Sequence, residues 1–194
     1  ISVLTGFKYI GEKIKEFKAD NSYEFVFGYE ESYGYLAGDF VRDKDAVVTS
    51  MLICEMAAYY KQRNMSLYEA VLELYSKYGY YKEGLGSIAF KGKEGMESMR
   101  ILMNEIRQNP IPQLNGVKVV EFRDYLNYKG VIPLPKENML YFILEDKSWF
   151  CIRPSGTEPK LKLYYAVIGS SMEDSEMKLE MLKEAVLGVI ESDK

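Results

Sequence analysis

Eight residues, Arg153-Pro154-Ser155-Gly156-Thr157-Glu158-Pro159-Lys160, gather several groups that can hold an anion. Arg153 presents a planar fork of donors that can grip two phosphate oxygens at once. Ser155 and Thr157 add hydroxyls, and Gly156 between them lets the backbone turn so that successive N–H groups face one concavity. Lys160 and Lys162 bring further positive charge. Pro154 and Pro159 stiffen the segment before any ligand arrives, which lowers the ordering cost of binding. The plain alternative is an ordinary Ser-Gly hairpin with a surface arginine, and Glu158 argues mildly against an anion site. The donor set favours phosphate.

A second constellation is Gly28-Tyr29-Glu30-Glu31-Ser32-Tyr33-Gly34, which follows a strand-like run. Two carboxylates, a hydroxyl and two tyrosines between glycines suit a polyol: carboxylates accept from sugar hydroxyls, and aromatic rings cover the apolar face of a sugar. If strand geometry continues, Glu30 and Ser32 share one side and Glu31 points oppositely, so Glu30 and Ser32 are the expected ligand contacts. A solvated turn competes with this reading. A metal cage is a poor fit, because two adjacent carboxylates lack further Asp or His partners. Thr5-Gly6-Phe7-Lys8 closes the first strand-like run, and Lys8 can reach a sugar oxygen or sit solvated at a helix start. Arg42-Asp43-Lys44-Asp45 reads as helix capping and salt bridging that holds the preceding loop.

Composition narrows the chemistry. The chain has 194 residues, 25 Lys and Arg against 29 Asp and Glu, and a formal net charge of -4. A general nucleic-acid or membrane binder carries a basic excess, so anions must be bound by a few placed groups. Histidine is absent, which excludes any His base or His ligand from this chain. Cys54 and Cys151 have no CxxC spacing and are too few for a disulfide framework, so a reducing cytoplasm is the expected setting. No apolar run reaches the roughly 18 residues that span a bilayer. The chain opens on Ile1-Ser2-Val3-Leu4 without an initiating Met, as a piece of a longer protein would.

The elements that must position these loops follow from periodicity. Val3 to Thr5 reads as a strand, and Ile10, Ile14 and Phe17 predict a helix. Glu24 to Gly28 reads as a strand, followed by a polar loop from Tyr29 to Arg42. Asp43 or Asp45 caps a helix through about Arg63 with Val47, Met51, Cys54 and Ala58 as its inner face. Ser66-Leu67-Tyr68-Glu69 is a capping box opening a helix with Leu67, Val71, Leu74 and Tyr78 inward. Past a boundary near Gly79 to Lys82 the pattern changes. A strand from Gly84 to Phe90 leads to a helix with Met96, Met99, Met103 and Ile106 inward. Strands at 117–122, 139–144, 149–152 and 161–168 then come in succession, with Glu145 to Ser148 as a hairpin turn. A last helix starts near Met172 and carries Leu179, Leu182, Val186 and Val189. The expected architecture is an α/β partial domain over residues 1–80 and an α+β domain over 81–194.

Taken together, TGFK at 5–8, GYEESYG at 28–34, VRDKDA at 41–46 and RPSGTEPK at 153–160 resemble the α-D-phosphohexomutases, the phosphoglucomutase and phosphomannomutase family, in order and spacing. The resemblance covers nearly the whole chain and implies most of that family's third domain followed by its complete fourth, whose fold is similar to TATA-box-binding protein. DNA binding does not follow from such a likeness. By resemblance, Arg153, Ser155, Gly156 and Thr157 would form the phosphate loop. Glu30 and Ser32 would contact sugar hydroxyls, and Gly6 and Lys8 would contribute to sugar recognition, Lys8 as an acid/base group. The family reaction moves phosphate between O1 and O6 of a hexose through a hexose 1,6-bisphosphate. It uses a phosphoserine and Mg²⁺, whose Thr-Ala-Ser-His-Asn-Pro and Asp-Gly-Asp-x-Asp-Arg loops this chain lacks. The fragment alone would then be inactive, its partners a phosphosugar and the N-terminal domains of the same protein. A free-standing phosphosugar or anion sensor is the alternative. GYEESYG resembles the glucose-handling branch more than the glucosamine-handling one.

Overall fold

Apolar side chains at 7, 10, 14 and 17 make one face of the first helix, α1 (Phe7–Asp20), and bury Phe7 and Ile14 with Ile10 and Phe17 half-buried. The computed structural model describes residues 1–4, 6–30, 33–90, 92–128, 135–155 and 158–192. The helix ends at Asn21, whose left-handed φ of 52° is a conformation Asn tolerates well. Midway along α1, Gly11 meets the loop ahead of the next helix: a Cβ there would lie 2.7 Å from the carbonyl oxygen of Arg42. Two short strands follow, β1 (Phe27–Tyr29) and β2 (Tyr35–Ala37), paired antiparallel with Phe27 opposite Ala37 and Tyr29 opposite Tyr35. Leu36 drops from β2 onto Phe7 and Ile14, with Ile10 and Phe25 packed against the group.

The next helix, α2 (Ala46–Gln62), starts where the carboxylate of Asp45 accepts from the N–H groups of Val47 and Val48 at 3.0 and 3.1 Å. This is the side-chain cap that an Asp in extended conformation provides. In α3 (Leu67–Tyr78) the capping box is complete: Glu69 N donates to Ser66 Oγ at 3.2 Å, and Ser66 N donates to Glu69 Oε2 at 2.7 Å. The chain forms two compact units that part between Glu73 and Leu74, inside α3.

Several sequence expectations change in the first unit. Residues 1–4 form no strand, although Leu4 is buried; a strand exists only through its ladder, and these residues have none among the described residues. The expected strand at 24–28 lies at 27–29, and its partner β2 falls inside what reads as polar loop. The predicted inner face of α2 is exposed, with Val47 82% accessible and Met51 56%, and Cys54 and Ala58 exposed too. Val48, Leu52 and Tyr60 are the half-buried stripe instead. Nearly every side of α2 is apolar, so periodicity alone cannot choose the face. In α3, Val71, Leu74 and Tyr78 are exposed and Leu67 is half-buried; Ala70 is the buried residue.

At the end of α3, Gly79 with φ 109° donates its N–H to Tyr75 O and turns the chain into β3 (Tyr80–Ala89). Then come α4 (Gly92–Gln108), β4 (Gln113–Leu114), β5 (Val117–Asp124), β6 (Leu140–Leu144), β7 (Trp149–Pro154), β8 (Lys160–Gly169) and α5 (Met172–Ser192). The six strands form one sheet in the order β3-β8-β7-β6-β5-β4, and every pairing is antiparallel. Alternation is clean: Leu140, Phe142 and Leu144 are buried while Tyr141 and Ile143 between them are half-buried. The buried side meets Met99, Leu102, Met103 and Ile106 of α4 and Leu179, Leu182, Val186 and Ile190 of α5 in one core. Phe142 and Phe150 stack at its centre with ring centroids 4.5 Å apart. Each fully buried large apolar side chain contributes about 1.5–3 kcal/mol.

Met96, expected inward, is 49% exposed. At that turn Gly95 makes the contact, its Cβ position only 2.8 Å from the carbonyl carbon of Phe90. The predicted hairpin turn after β6 is present: Lys147 adopts φ 68° and donates its N–H to Leu144 O, and Ser148 N donates to Asp146 Oδ1 at 2.9 Å. Among the described residues no helix is long and apolar enough to cross a membrane.

Candidate functional site

The phosphate-type loop joins two neighbouring central strands, so its ends are fixed by the sheet. Arg153 pairs with Lys162 and Pro154 with Leu161. The N–H of Ser155 donates to Lys160 O at 2.7 Å, and Phe90 N donates to Pro159 O at 2.8 Å. Ser155 therefore uses its backbone donor to close the loop and keeps its hydroxyl for other work. Gly156 and Thr157 lie outside the described residues.

Arg153 is half-buried, and its Nε donates to Glu137 Oε1 at 2.9 Å. Burial works against its charge, but the carboxylate of Glu137, with Tyr164 helping, outweighs that, and the guanidinium holds its proton more tightly than an ordinary arginine. Lys160 Nζ pairs with Glu158 at 2.9 Å. The hydrogen bond from Lys160, then its charge and that of Lys162, hold Glu158 below the usual carboxylate range. Glu158 thus stays ionised and offsets the charge of Lys160, as Glu137 offsets that of Arg153. Sequence reasoning missed Glu137 and Tyr164. Glu137 carries no local signal, since it lies 16 residues from its partner. Tyr164 was legible by strand parity, two residues beyond Lys162 on β8 and so on the face that carries Arg153.

The acidic loop is the β1–β2 connection. Glu30 N donates to Gly34 O at 2.9 Å, closing the hairpin end. Glu30 is half-buried, and its carboxylate leans over Gly34: a Cβ on Gly34 would meet Glu30 Oε2 at 2.8 Å and would also run into the Lys44 stem. Lys44 is a residue sequence reasoning treated only as part of a charge cluster. Its Nζ pairs with Asp43 at 3.0 Å and stands 5.2 Å from the centre of the Phe7 ring. The hydrogen bond to Asp43, then the charges of Asp43 and Glu30, raise its pKa. Ser32, expected beside Glu30, lies outside the described residues, as do Glu31 and Thr5.

Gly6 caps α1 with φ 128°, a backbone state that side chains rarely adopt, and accepts the N–H of Tyr9 at 3.0 Å. Lys8 is exposed with its ammonium 4.9 Å from the centre of the Tyr9 ring. Gly6, Lys8, Gly11 and residues 41–45 line one open cleft, and Gly6 and Glu30 share the wall of another. Gly6 borders both, Lys8 lines the first and Glu30 the second. Among the described residues, no three His, Cys, Asp or Glu side chains come together to hold a metal ion.

Comparison with known proteins places these elements. Residues 1–78 match the family model for phosphoglucomutase/phosphomannomutase, alpha/beta/alpha domain III, and residues 99–183 match that for the phosphoglucomutase/phosphomannomutase C-terminal domain. A phosphoglucomutase of Staphylococcus haemolyticus is 39% identical over 174 residues, covering 85% of this chain and 31% of that protein. One from Staphylococcus aureus is 35% identical over 189 residues, covering 93% and 34%. The chain therefore spans about a third of the length of the curated relatives it matches. Parafusin, an exocytosis-sensitive phosphoprotein and phosphoglucomutase of Paramecium solved in an open form, superposes with a TM-score of 0.67 over 96% of this chain and 33% of its own, at 17% identity. That likeness speaks for the fold, and the two family models matched in succession speak for descent: the chain belongs to the phosphoglucomutase/phosphomannomutase family and carries its domains III and IV.

Proposed function

We propose that this chain is the sugar- and phosphate-binding part of a phosphohexomutase, an intramolecular phosphotransferase that interconverts hexose 1-phosphate and hexose 6-phosphate through a hexose 1,6-bisphosphate. Residues 1–80 supply the sugar loop and residues 81–194 the phosphate loop. The observation that carries this reading is the pairing of family domains III and IV with a loop built on Arg153 at the end of a central strand.

Arg153, Ser155, Gly156 and Thr157 hold the phosphate that is not being transferred. Glu30 and Ser32 accept from or donate to the sugar hydroxyls, Gly6 lets the chain approach the ligand closely, and Lys8 acts on a sugar oxygen. Holding the distal phosphate and the ring, rather than bonding to them, is what phosphoryl transfer asks of such groups. The reaction's Mg²⁺ and phosphoserine belong to domains outside these residues, and the donor set here does not fit a metal. The partners are thus the phosphosugar and the remaining domains of the same protein, and a reducing cytoplasm suits the free thiols of Cys54 and Cys151.

Calorimetric titration of the purified chain with glucose 1,6-bisphosphate is the test. Binding without turnover of glucose 1-phosphate is expected, and Arg153→Ala should weaken it by about tenfold or more, the scale of a lost charge-assisted contact. Turnover by the chain alone would refute the division of labour. Equal affinity of the Arg153→Ala variant would refute the phosphate loop.

A further inference from the structure

The phosphate loop's arginine is held from the side by a carboxylate that no loop motif contains. Glu137 sits just before β6, anchored by Glu137 N donating to Tyr125 O and by its carbonyl accepting from Met139 N at 2.9 Å. Its side chain and that of Arg153 are 31% and 29% accessible, so both are largely shielded, and one hydrogen bond at Nε joins them.

The same sheet contains a contrasting pair. Arg123 meets Glu121 through two nitrogens, Nε at 2.6 Å and Nη2 at 3.0 Å. That fork-on-fork contact spends the side edge of the guanidinium, Nε with one terminal nitrogen. Glu137 takes Arg153 at Nε only. Its contact holds the guanidinium by one N–H and spends neither terminal nitrogen, so the terminal edge can present a parallel pair of donors, the geometry that matches two oxygens of a phosphate. A carboxylate beside an anion site has two opposed effects: it lowers the local positive potential, and it fixes the plane of the arginine before the anion arrives. Ordering a free arginine side chain on binding is costly, and a guanidinium already held avoids most of that cost.

Resting on the phosphate-loop reading above, we propose that Glu137 is a positioning residue: its bond to Nε orients Arg153 so that the terminal guanidinium edge receives the phosphate. The sign of the effect separates this role from plain electrostatics. Deleting a negative charge near an anion strengthens binding if only charge matters, and weakens it if the carboxylate is what aims the arginine.

The test is calorimetric titration of the chain with glucose 1,6-bisphosphate, comparing wild type with Glu137→Ala, Glu137→Gln and Arg153→Ala, each checked for folding by thermal unfolding. Glu137→Ala should weaken binding roughly three- to tenfold, the cost of re-ordering one long side chain. Glu137→Gln keeps an oxygen acceptor for Nε and drops the charge, so it should bind within about twofold of wild type or more tightly. Affinity that is unchanged or higher in Glu137→Ala overturns the proposal, as does a loss in Glu137→Gln as large as in Glu137→Ala. If Arg153→Ala itself binds like wild type, the phosphate-loop reading falls first and takes this inference with it.

Discussion

The two units build their loops on very different floors. In the second, the phosphate loop hangs between β7 and β8, strands whose inner faces (Phe150, Ile152, Leu161, Leu163) lie in a continuous core shared with α4 and α5. In the first, the acidic loop tops a two-stranded hairpin over a small cluster of Phe7, Ile14 and Leu36, and α2 buries none of its residues. A loop held by flanking core strands can keep an arginine in one plane. A loop at the tip of a three-residue hairpin relies on local bonds: Glu30 N to Gly34 O, the Asp45 cap, and the packing of Lys44 beside Glu30. Isolated two-stranded hairpins are marginal in water, which makes those bonds matter more in the first unit than their equivalents would in the second.

The sharpest way to break the contrast is to open the larger core. Phe142→Ala removes the ring stacked on Phe150 and should cost the second unit about 3–5 kcal/mol. Urea unfolding followed by the fluorescence of Trp149, which lies on β7, would report it. A loss below about 1 kcal/mol would mean that the sheet does not depend on its centre. The two thiols probe the same difference without mutation. Cys54 is exposed on α2, whereas Cys151 is buried in β7 and burial pushes its thiol up to about 12. At pH 8, alkylation should label Cys54 at least about a hundredfold faster than Cys151, because only thiolate reacts. Comparable rates would place β7 among the readily opening segments. The raised thiol also sets a sign: above its ordinary range near 9.0 the unfolded chain releases a proton that the folded chain keeps, so stability declines as pH climbs toward about 12. Last and smallest, Asp45→Ala should cost about 1 kcal/mol through the lost cap of α2. Circular dichroism during thermal unfolding would detect it, and no change would show that α2 does not need its cap.

What the sequence revealed followed the range of the interactions involved. The capping box at Ser66 and Glu69 and the cap at Asp45 were legible because both partners lie within a few residues. Alternation exposed most strands of the second unit, most cleanly β6, where one face is buried and the period is strict; the two residues of β4 are too few to set a period, and β3 begins at Tyr80, ahead of the expected Gly84. The face of α2 was not legible, because apolar residues surround it and only its tertiary neighbour selects Val48, Leu52 and Tyr60. The strand β2 hid inside a polar loop, since three residues are too few to set a period. At the candidate site, Arg153 and Glu30 announced themselves by type and setting. Glu137 and Lys44 did not, because their importance is a matter of which chain segments meet.

Gly11 has a mechanical role in the first unit. A glycine inside a helix forgoes about 1 kcal/mol of helix propensity relative to alanine. Here it allows α1 to touch the carbonyl of Arg42 directly. Backbone cannot rotate aside as a side chain can, so even one methyl group at position 11 must push residues 42–45 outward. Those residues include Lys44, packed beside Glu30, and Asp45, which starts α2. Position 11 is therefore a spacer: widening that approach from 2.7 Å to an ordinary contact of 3.4 Å would reset the distance between a lysine and the carboxylate it accompanies.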